Sequence, residues 1–570
     1  MFELEAVLAC DGYKTSHKKQ YSPHTEVVYS TWTPRKSRMD DVNNVVFFGL
    51  QYFIKDYLID SFNKTFFNRS KDEVINEFKR IMKQYNGDDD ASHWEALHDL
   101  GYLPLKIDAL PEGTLTPIRV PMFTIKNTIP EFYWLTNFIE TIMSTEIWKP
   151  MTSATIALQY RKICEKWAEK TCDDNSHIDL QGHDFSMRGM AGLDAACSSG
   201  AGHLLSFKGT DTIPAILWLE KYYNANCEKD IVGTSIPATE HSVAETNIIE
   251  IEKQVEEERH IIDTSEFVGL VGDQKEAERR YFERLLDVYP NGTFSYVADT
   301  YNLWEVLTDI LPLLKDKIMS RDGKVVIRPD SGDPCDIICG LNTNENYKLF
   351  SPASDLNNVS LYKQEDKDSW TKVVGSYTER QYSGVIELLW DIFGGTINSK
   401  GYKVLDPHIG CIYGDAITLE RAEEICRRLE SKGFASSNIV FGIGSYTYNM
   451  NTRDTFGFAL KTTYGVVNGK ELMLYKDPIT DDGTKKSQKG MVSVFRDEYF
   501  DELMYRDEYN KKDKEEAIEM RKAHPTDEHY EMLQTVFLNG KLVKEYNLQE
   551  IRDRLKQELV LNRRFQYASR

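Results

Sequence analysis

From Ile409 to Ile443 the chain reads IGCIYGDAITLERAEEICRRLESKGFASSNIVFGI. Ile409 to Tyr413 is a short apolar run with the look of a buried strand, and Gly414 and Asp415 make the turn after it. Leu419, Ala422, Ile425 and Leu429 then recur at helical spacing, which predicts a helix over 419–429 that stops at Gly433. Ile439 to Gly442 supplies the next strand. Two further strand ends carry the same signature: Ser295 to Val297 before Asp299, and Val325 to Ile327 before Arg328, Asp330 and Gly332. Strand-turn-helix units of this kind predict a parallel sheet, either a barrel or a doubly wound sheet.

In a barrel the reactive groups stand at the carboxyl ends of the strands. Asp299, Arg328, Asp330, Asp415 and Gly444 fall there and are candidates on position alone. The competing reading, that each Asp caps the next helix, stays open for any one of them.

At 570 residues the chain exceeds what one hydrophobic core usually serves, so two structural units, or a barrel with an added layer, are expected. A hydrophobic share of 41% and a charged share of 28% describe an ordinary globular protein. A net charge of -21 argues against nucleic acid as a partner, because affinity for a phosphate backbone comes mainly from Lys and Arg. Any phosphorylated ligand must instead meet a local basic pocket. The nine cysteines are scattered, and the pair Cys335 and Cys339 has no second pair to complete a zinc site, which suits reduced thiols in the cytoplasm. Met1 to Leu8 carries Glu3 and Glu5 where a signal peptide would be basic, and no apolar run is long enough to span a bilayer, so no membrane association is expected.

Two segments, at about 244–273 and 339–400, are polar and weakly periodic and read as insertions decorating the surface. The stretch from Asp501 to Tyr530 alternates in charge sign and reads as a solvated helical face.

Val326 to Pro334 reads VIRPDSGDP. An Arg and an Asp two residues apart after a buried strand suit a phosphorylated sugar: the guanidinium grips phosphate oxygens while the carboxylate accepts from hydroxyls or holds a metal. A buried Arg-Asp pair that merely braces the barrel is the alternative. With this string stand HDFSMRG at 183–189, FKGTD at 207–211 and ATEHS at 238–242. DGYK at 11–14, VFFGLQY at 46–52, YWLTN at 133–137 and YGD at 413–415 complete the set. In this order the strings resemble the nicotinamide phosphoribosyltransferase family over most of the chain.

That resemblance implies a type II phosphoribosyltransferase-like irregular α/β barrel over 180–450, flanked by an α/β layer built from N-terminal (1–179) and C-terminal (451–570) segments. It implies nicotinamide and 5-phosphoribosyl 1-pyrophosphate as substrates, Mg2+ and ATP as cofactor and co-substrate, and a homodimer with shared sites. Phe185 corresponds to the family's platform for the pyridine ring, Tyr13 of a second subunit to its opposite face, and Arg188 to a residue reaching the carboxamide region. Asp211 corresponds to the acceptor of the carboxamide N–H; it would favour nicotinamide over anionic nicotinate. His241 corresponds to a phosphorylated histidine, with Asp299 holding its ring and Arg328 and Asp330 completing the catalytic group. Ser295, Gly414, Asp415, Gly444 and Ser445 correspond to sugar and phosphate contacts. Ser445, within GIGSY, replaces a glycine of the family's phosphate loop. Arg35, Arg453 and Lys461 correspond to phosphate ligands delivered across the dimer, and Lys485, Lys486 and Lys489 could close over the phosphates. A nicotinate phosphoribosyltransferase, and a barrel that binds without turnover, remain the alternatives.

Overall fold

A computed structural model describes residues 4–261, 273–341, 347–350, 359–366, 369–377, 379–414, 416–481, 483–499 and 501–568. At its centre six parallel strands form one sheet: β1 (Gly182–Asp184), β2 (Gly209–Thr210), β3 (Phe294–Val297), β4 (Val325–Arg328), β5 (Ile409–Tyr413) and β6 (Ile439–Ile443). Their spatial order is β2-β1-β6-β5-β4-β3. The edges β2 and β3 do not stay open. The extended segment 234–238 lies between them, bridging Thr234 to Gly209 and Ala238 to Ser295 in parallel fashion. Thr210 N–H donates to the Thr234 carbonyl at 3.0 Å and Ser295 N–H to the Pro237 carbonyl at 2.8 Å. The sheet is thereby an irregular barrel and not a doubly wound open sheet.

The strands read as apolar runs because parallel strands are covered on both faces. Val325, Val326 and Ile327 of β4 are all buried. The helix between β5 and β6 starts where Thr418 accepts a hydrogen bond from the Arg421 N–H, and it buries Ala422, Ile425, Cys426 and Leu429. Gly433 then takes a φ of 76°, a left-handed conformation that suits glycine and stops the helix.

A seven-stranded antiparallel sheet flanks the barrel, with strands taken from both ends of the chain. Thr25–Thr33 pairs with Ala459–Val467 on one side and Phe123–Asn127 on the other. Trp32, fully buried, stacks between Phe123 at 5.7 Å and Phe458 at 5.6 Å. One ring thus locks three distant segments together. Helix α1 (Glu140–Thr171) ties the layers: Met143, Ile147 and Met151 pack in the flanking core, and Ile156, Tyr160 and Cys164 in the barrel core. The last helix also reaches the barrel, where Arg552 donates to the carbonyls of Leu204 at 2.8 Å and Val232 at 2.7 Å. Among the described residues no helix is long and apolar enough to cross a membrane.

Three surface expectations need correction. The first supposed insertion begins as helix α2 (His241–Ile261), whose Ala244, Ile248 and Val255 are fully buried. Their spacing of four and seven residues places them on one stripe, which the surrounding acidic residues disguise. Residues 262–272 lie outside the described part. The second insertion includes a three-stranded sheet (Tyr347–Phe350, Val359–Asp366, Ser369–Tyr377), but from Val385 to Phe393 the chain is a core helix burying Val385, Ile386 and Leu389. The charged stretch after Asp501 opens as a strand, Leu503–Tyr509, paired with Met491–Arg496, and only then becomes the exposed helix Lys511–Ala523.

Because Ile248 is fully buried, Ile248→Ala is expected to destabilise the fold by about 2–5 kcal/mol. Gln254→Ala, exposed on the same helix, should change stability by less than about 0.5 kcal/mol. Thermal unfolding of the two variants compares them, and equal midpoints would return this helix to the surface.

Candidate active site

The carboxyl ends of the barrel strands open on one cavity of about 1070 Å³. Phe185, Arg188, Asp211, Ser295, Arg328, Asp330, Gly414, Gly444 and Ser445 all line it. It runs on between the strands, past Val326 and Ile412, to Gln181 and Lys324 at their amino ends.

Asp184, fully buried at the end of β1, sets the first part of the rim. Its Oδ1 accepts from the Ser186 N–H at 2.9 Å and the Ser186 hydroxyl at 2.6 Å, and its Oδ2 accepts from the Thr212 hydroxyl at 2.8 Å. The turns after β1 and β2 are so joined, fixing Phe185 and Asp211. Phe185 N–H donates to the Ile443 carbonyl at 3.0 Å. A Cβ on Gly442 would stand 2.3 Å from the Tyr413 carbonyl oxygen and 2.9 Å from the Phe185 ring. Gly442 therefore serves close packing beneath the ring rather than a turn.

Asp211 faces the cavity with its side chain about half exposed. Its Oδ1 accepts from His183 Nε2 at 2.9 Å and from the Ser235 hydroxyl at 2.6 Å. Burial pushes the Asp211 carboxyl up, but the hydrogen bonds from His183 and Ser235, with the charge of Arg328, hold it below the usual Asp value.

Across the cavity, Arg328 Nη1 lies 3.2 Å from Asp330 Oδ2, and Nη2 donates to the Thr239 carbonyl at 2.9 Å. Gly414 makes room for this pair: a Cβ there would lie 2.5 Å from Asp330 Oδ1 and 3.0 Å from Arg328 Nη1. Asp299 Oδ2 accepts from the Asp330 N–H at 2.9 Å and the Ser331 hydroxyl at 2.6 Å. Three buried polar atoms of this region, Ser295 Oγ, Asp299 Oδ1 and Arg328 Nε, have no hydrogen-bond partner among the described residues. Groups of this kind suit a ligand that brings its own donors, oxygens or metal.

His241 opens helix α2 beside the cavity. Its Nε2 stands 3.7 Å from Asp330 Oδ2 and 4.0 Å from Asp299 Oδ1. The other ring nitrogen, Nδ1, lies 3.1 Å from the Thr300 hydroxyl. Asp299 and Asp330 thus share one side of the ring, and Thr300 holds the other.

Asp415 lies outside the described residues. Tyr13, Arg35, Arg453 and Lys461 belong to the flanking layer and do not line this cavity. Tyr13 is 60% exposed, its ring set edge-on to His17 at 5.1 Å. Arg35 and Lys461 line a second cavity of about 300 Å³ with Arg119 and Lys486. Arg453 sits 3.3 Å from Asp454, and Lys461 3.2 Å from Glu140. Lys489 is 3.2 Å from Glu508.

His183, Ser235, Thr239 and Thr300 were given no role by sequence reading. His183 stands inside the quoted HDFSMRG string and Thr300 directly follows Asp299. Thr239 lies inside the quoted ATEHS string; Ser235 carries no pattern of its own, and only the closure of the barrel brings it in.

A family model described as the nicotinate phosphoribosyltransferase (NAPRTase) family matches residues 180–540. A second, described as the nicotinamide phosphoribosyltransferase N-terminal domain, matches 5–107. A nicotinamide phosphoribosyltransferase of Acinetobacter baylyi is 43% identical over 572 residues, covering 98% of each chain. One of Mycoplasma pneumoniae is 33% identical over 515 residues, covering 85% of this chain and 95% of the relative. In fold, the chain is similar to the crystal structure of nicotinate-nucleotide pyrophosphorylase from Pyrococcus furiosus, with a TM-score of 0.50 and 15% identity over 98% of this chain and 97% of that one.

The space over Gly414 yields a test of the Arg328–Asp330 pair as an anion cradle. Gly414→Ala places a methyl 2.5 Å from Asp330 Oδ1 and is expected to weaken binding of inorganic pyrophosphate at least about tenfold, or about 1.4 kcal/mol. Calorimetry on wild type and variant measures it, and equal affinities would separate this pair from anion binding.

Proposed function

The chain belongs to the nicotinate phosphoribosyltransferase family, and from that premise we propose that it joins nicotinamide to 5-phosphoribosyl 1-pyrophosphate in NAD salvage. The products are nicotinamide mononucleotide and pyrophosphate. The chain is a pentosyltransferase, and its reaction is a displacement at the anomeric carbon. The pyridine nitrogen forms a bond to C1 as the bond from C1 to the pyrophosphate oxygen breaks, and the bonding pair leaves with pyrophosphate. No proton need move. The site must therefore orient the ring, exclude wrong substrates and stabilise the departing charge.

Asp211 carries this reading. An ionised carboxylate beside the Phe185 ring accepts a carboxamide N–H, whereas the carboxylate of nicotinate would meet a like charge in a partly dry pocket. Phe185 supplies one face for the ring and Tyr13 of a second copy the other, with Arg188 at the rim. Ser295, Gly414, Asp415, Gly444 and Ser445 take the ribose and its 5-phosphate, the last two through backbone N–H groups at the end of β6. Arg328 meets the pyrophosphate, and Asp330 the ribose hydroxyls or a metal.

Among the described residues no group of three His, Cys, Asp or Glu side chains stands ready to hold a metal. Magnesium suits such a sparse set, since it binds through one or two carboxylates plus substrate phosphates. Asp299, whose Oδ1 has no partner, and Asp330 would hold it. When bound it supplies charge to the leaving pyrophosphate. ATP would pass its γ-phosphoryl group to a ring nitrogen of His241, the P–O bond to ADP breaking as the N–P bond forms. Thr300 on one side and the two carboxylates on the other orient that ring.

The exposure of Tyr13 and the distance of Arg35, Arg453 and Lys461 from the cavity support a homodimer in which the flanking layer of one copy completes the site of the other. All nine cysteines are unpaired, which supports a reducing cytoplasm as the place of work.

Supplied with magnesium and 5-phosphoribosyl 1-pyrophosphate, the purified chain is expected to form mononucleotide from nicotinamide in preference to nicotinate. Asp211→Asn should cut that preference in kcat/KM by about tenfold or more. A depressed Asp211 carboxyl loses its charge only below the usual Asp value, so the wild-type preference should persist from about pH 8 to pH 5. A pyrophosphate-release assay with both substrates decides, and an unchanged ratio in Asp211→Asn would remove Asp211 from the choice.

A further inference from the structure

Asp211 can select an amide only if its carboxylate keeps one oxygen turned to the ligand. Both internal donors reach the same atom: His183 Nε2 and the Ser235 hydroxyl converge on Oδ1. Among the described residues no donor reaches Oδ2. A carboxylate bound twice through one oxygen is fixed in rotation and presents the other oxygen, with its lone pairs, to the cavity.

The two donors stand on firm ground. His183 lies in the interior of the barrel sheet, its strand paired with Gly442 on one side and Gly209 on the other. Its side chain is only 10% exposed. A Cβ on Gly209 would approach His183 Nδ1 to 2.8 Å, so the glycine of FKGTD leaves the space that lets the imidazole lie toward Asp211. Ser235 comes from the segment that closes the barrel, one residue after the Thr234 bridge to Gly209. Asp211 is itself pinned, its N–H donating to the Asp184 carbonyl at 3.0 Å. To donate to an ionised Asp211, His183 must carry its proton on Nε2.

We propose that His183 and Ser235 are the positioning residues of substrate choice, holding Asp211 through Oδ1 so that Oδ2 accepts the carboxamide N–H and turns away a carboxylate. The proposal rests on the reading of Asp211 as the amide acceptor and adds the device that makes the acceptor selective. Neither residue touches the reacting atoms, so both act on KM and on the choice of substrate rather than on the bond-making step. Loss of His183 removes a charge-assisted hydrogen bond and lets the carboxylate rotate; the hydroxyl of Ser235 alone then sets its direction.

The test compares nicotinamide and nicotinate in steady-state kinetics of the full-length protein with magnesium and 5-phosphoribosyl 1-pyrophosphate. His183→Leu is expected to raise the KM for nicotinamide by about tenfold with kcat held within about threefold, and to lower the nicotinamide-to-nicotinate ratio of kcat/KM by about tenfold. His183→Gln, whose amide nitrogen is as many bonds from the backbone as Nε2, should restore the ratio to within about threefold of wild type. Ser235→Ala, at an exposed position, should lower the ratio by about threefold to tenfold. If His183→Leu fails to fold, as thermal unfolding would report, His183→Gln and Ser235→Ala carry the test. An unchanged ratio in Ser235→Ala, or a His183→Gln ratio lowered by about tenfold or more, overturns the proposal. Asp211→Asn separates the two failures. A fall in its ratio while the His183 and Ser235 variants keep theirs defeats the positioning role alone, whereas no fall in Asp211→Asn defeats the underlying reading.

Discussion

The site depends on the closure of the barrel by residues 234–238. The central strands form a six-membered parallel sheet whose two edges, at Gly209 and Ser295, would otherwise present unpaired backbone groups. Inserting one extended segment satisfies both edges and builds a wall for the cavity. The same segment delivers the Ser235 hydroxyl to Asp211 and, just after it, the chain brings the Thr239 carbonyl to Arg328 and His241 to the start of a buried helix. Architecture and chemistry share a single stretch of backbone, so the rim residues of three staves hold their mutual positions without a rigid loop of their own.

Closure also explains which parts of the molecule could be read from sequence. The strand-helix-strand run from Ile409 to Ile443 is legible because every local signal agrees: an apolar strand, a capped helix with one stripe, a glycine stop. The strand ends before Asp299 and Arg328 are legible for the same reason. Segment 234–238 is not, since T-S-I-P-A has neither alternation nor length to mark a strand; its regularity comes from two neighbours distant in the chain. Helix α2 was hidden by composition, because its stripe of Ala244, Ile248 and Val255 is narrow and set among acidic residues. The short strand at Leu503–Tyr509 was masked by alternating charges that suit an exposed strand as well as a helix.

Site residues divide the same way. Arg328 and Asp330 are candidates by residue type and place at a strand end, whereas the expectations for Phe185 and Asp211 come from the resemblance carried by HDFSMRG and FKGTD. Thr300 and Ser235 act by where the fold puts them, and no spacing rule foretells a hydroxyl that holds another side chain. Ser445 illustrates a finer point. Its hydroxyl occupies the space beside Gly189, where a Cβ would come within 2.1 Å of it. The residue that departs from the glycine pattern is thus accommodated by a glycine in the neighbouring turn, and the loop keeps its course.

The distribution of charge carries the last step. The chain is strongly acidic overall, yet at the cavity it places Asp299 and Asp330 within 4.0 Å of one imidazole, with Arg328 paired to Asp330 alone. Two carboxylates drawn together with one guanidinium leave an excess of negative charge in a partly buried place, which is costly unless further positive charge arrives. Under the proposed reaction, a pyrophosphate that carried its own divalent cation would add less to that excess than a bare anion. The proposed reaction would therefore suit a substrate that brings positive charge of its own to Asp299 and Asp330. Arg35 and Lys461 stand apart from these carboxylates, in the second cavity on the flanking layer, so within one chain their charge is not what balances Asp299 and Asp330.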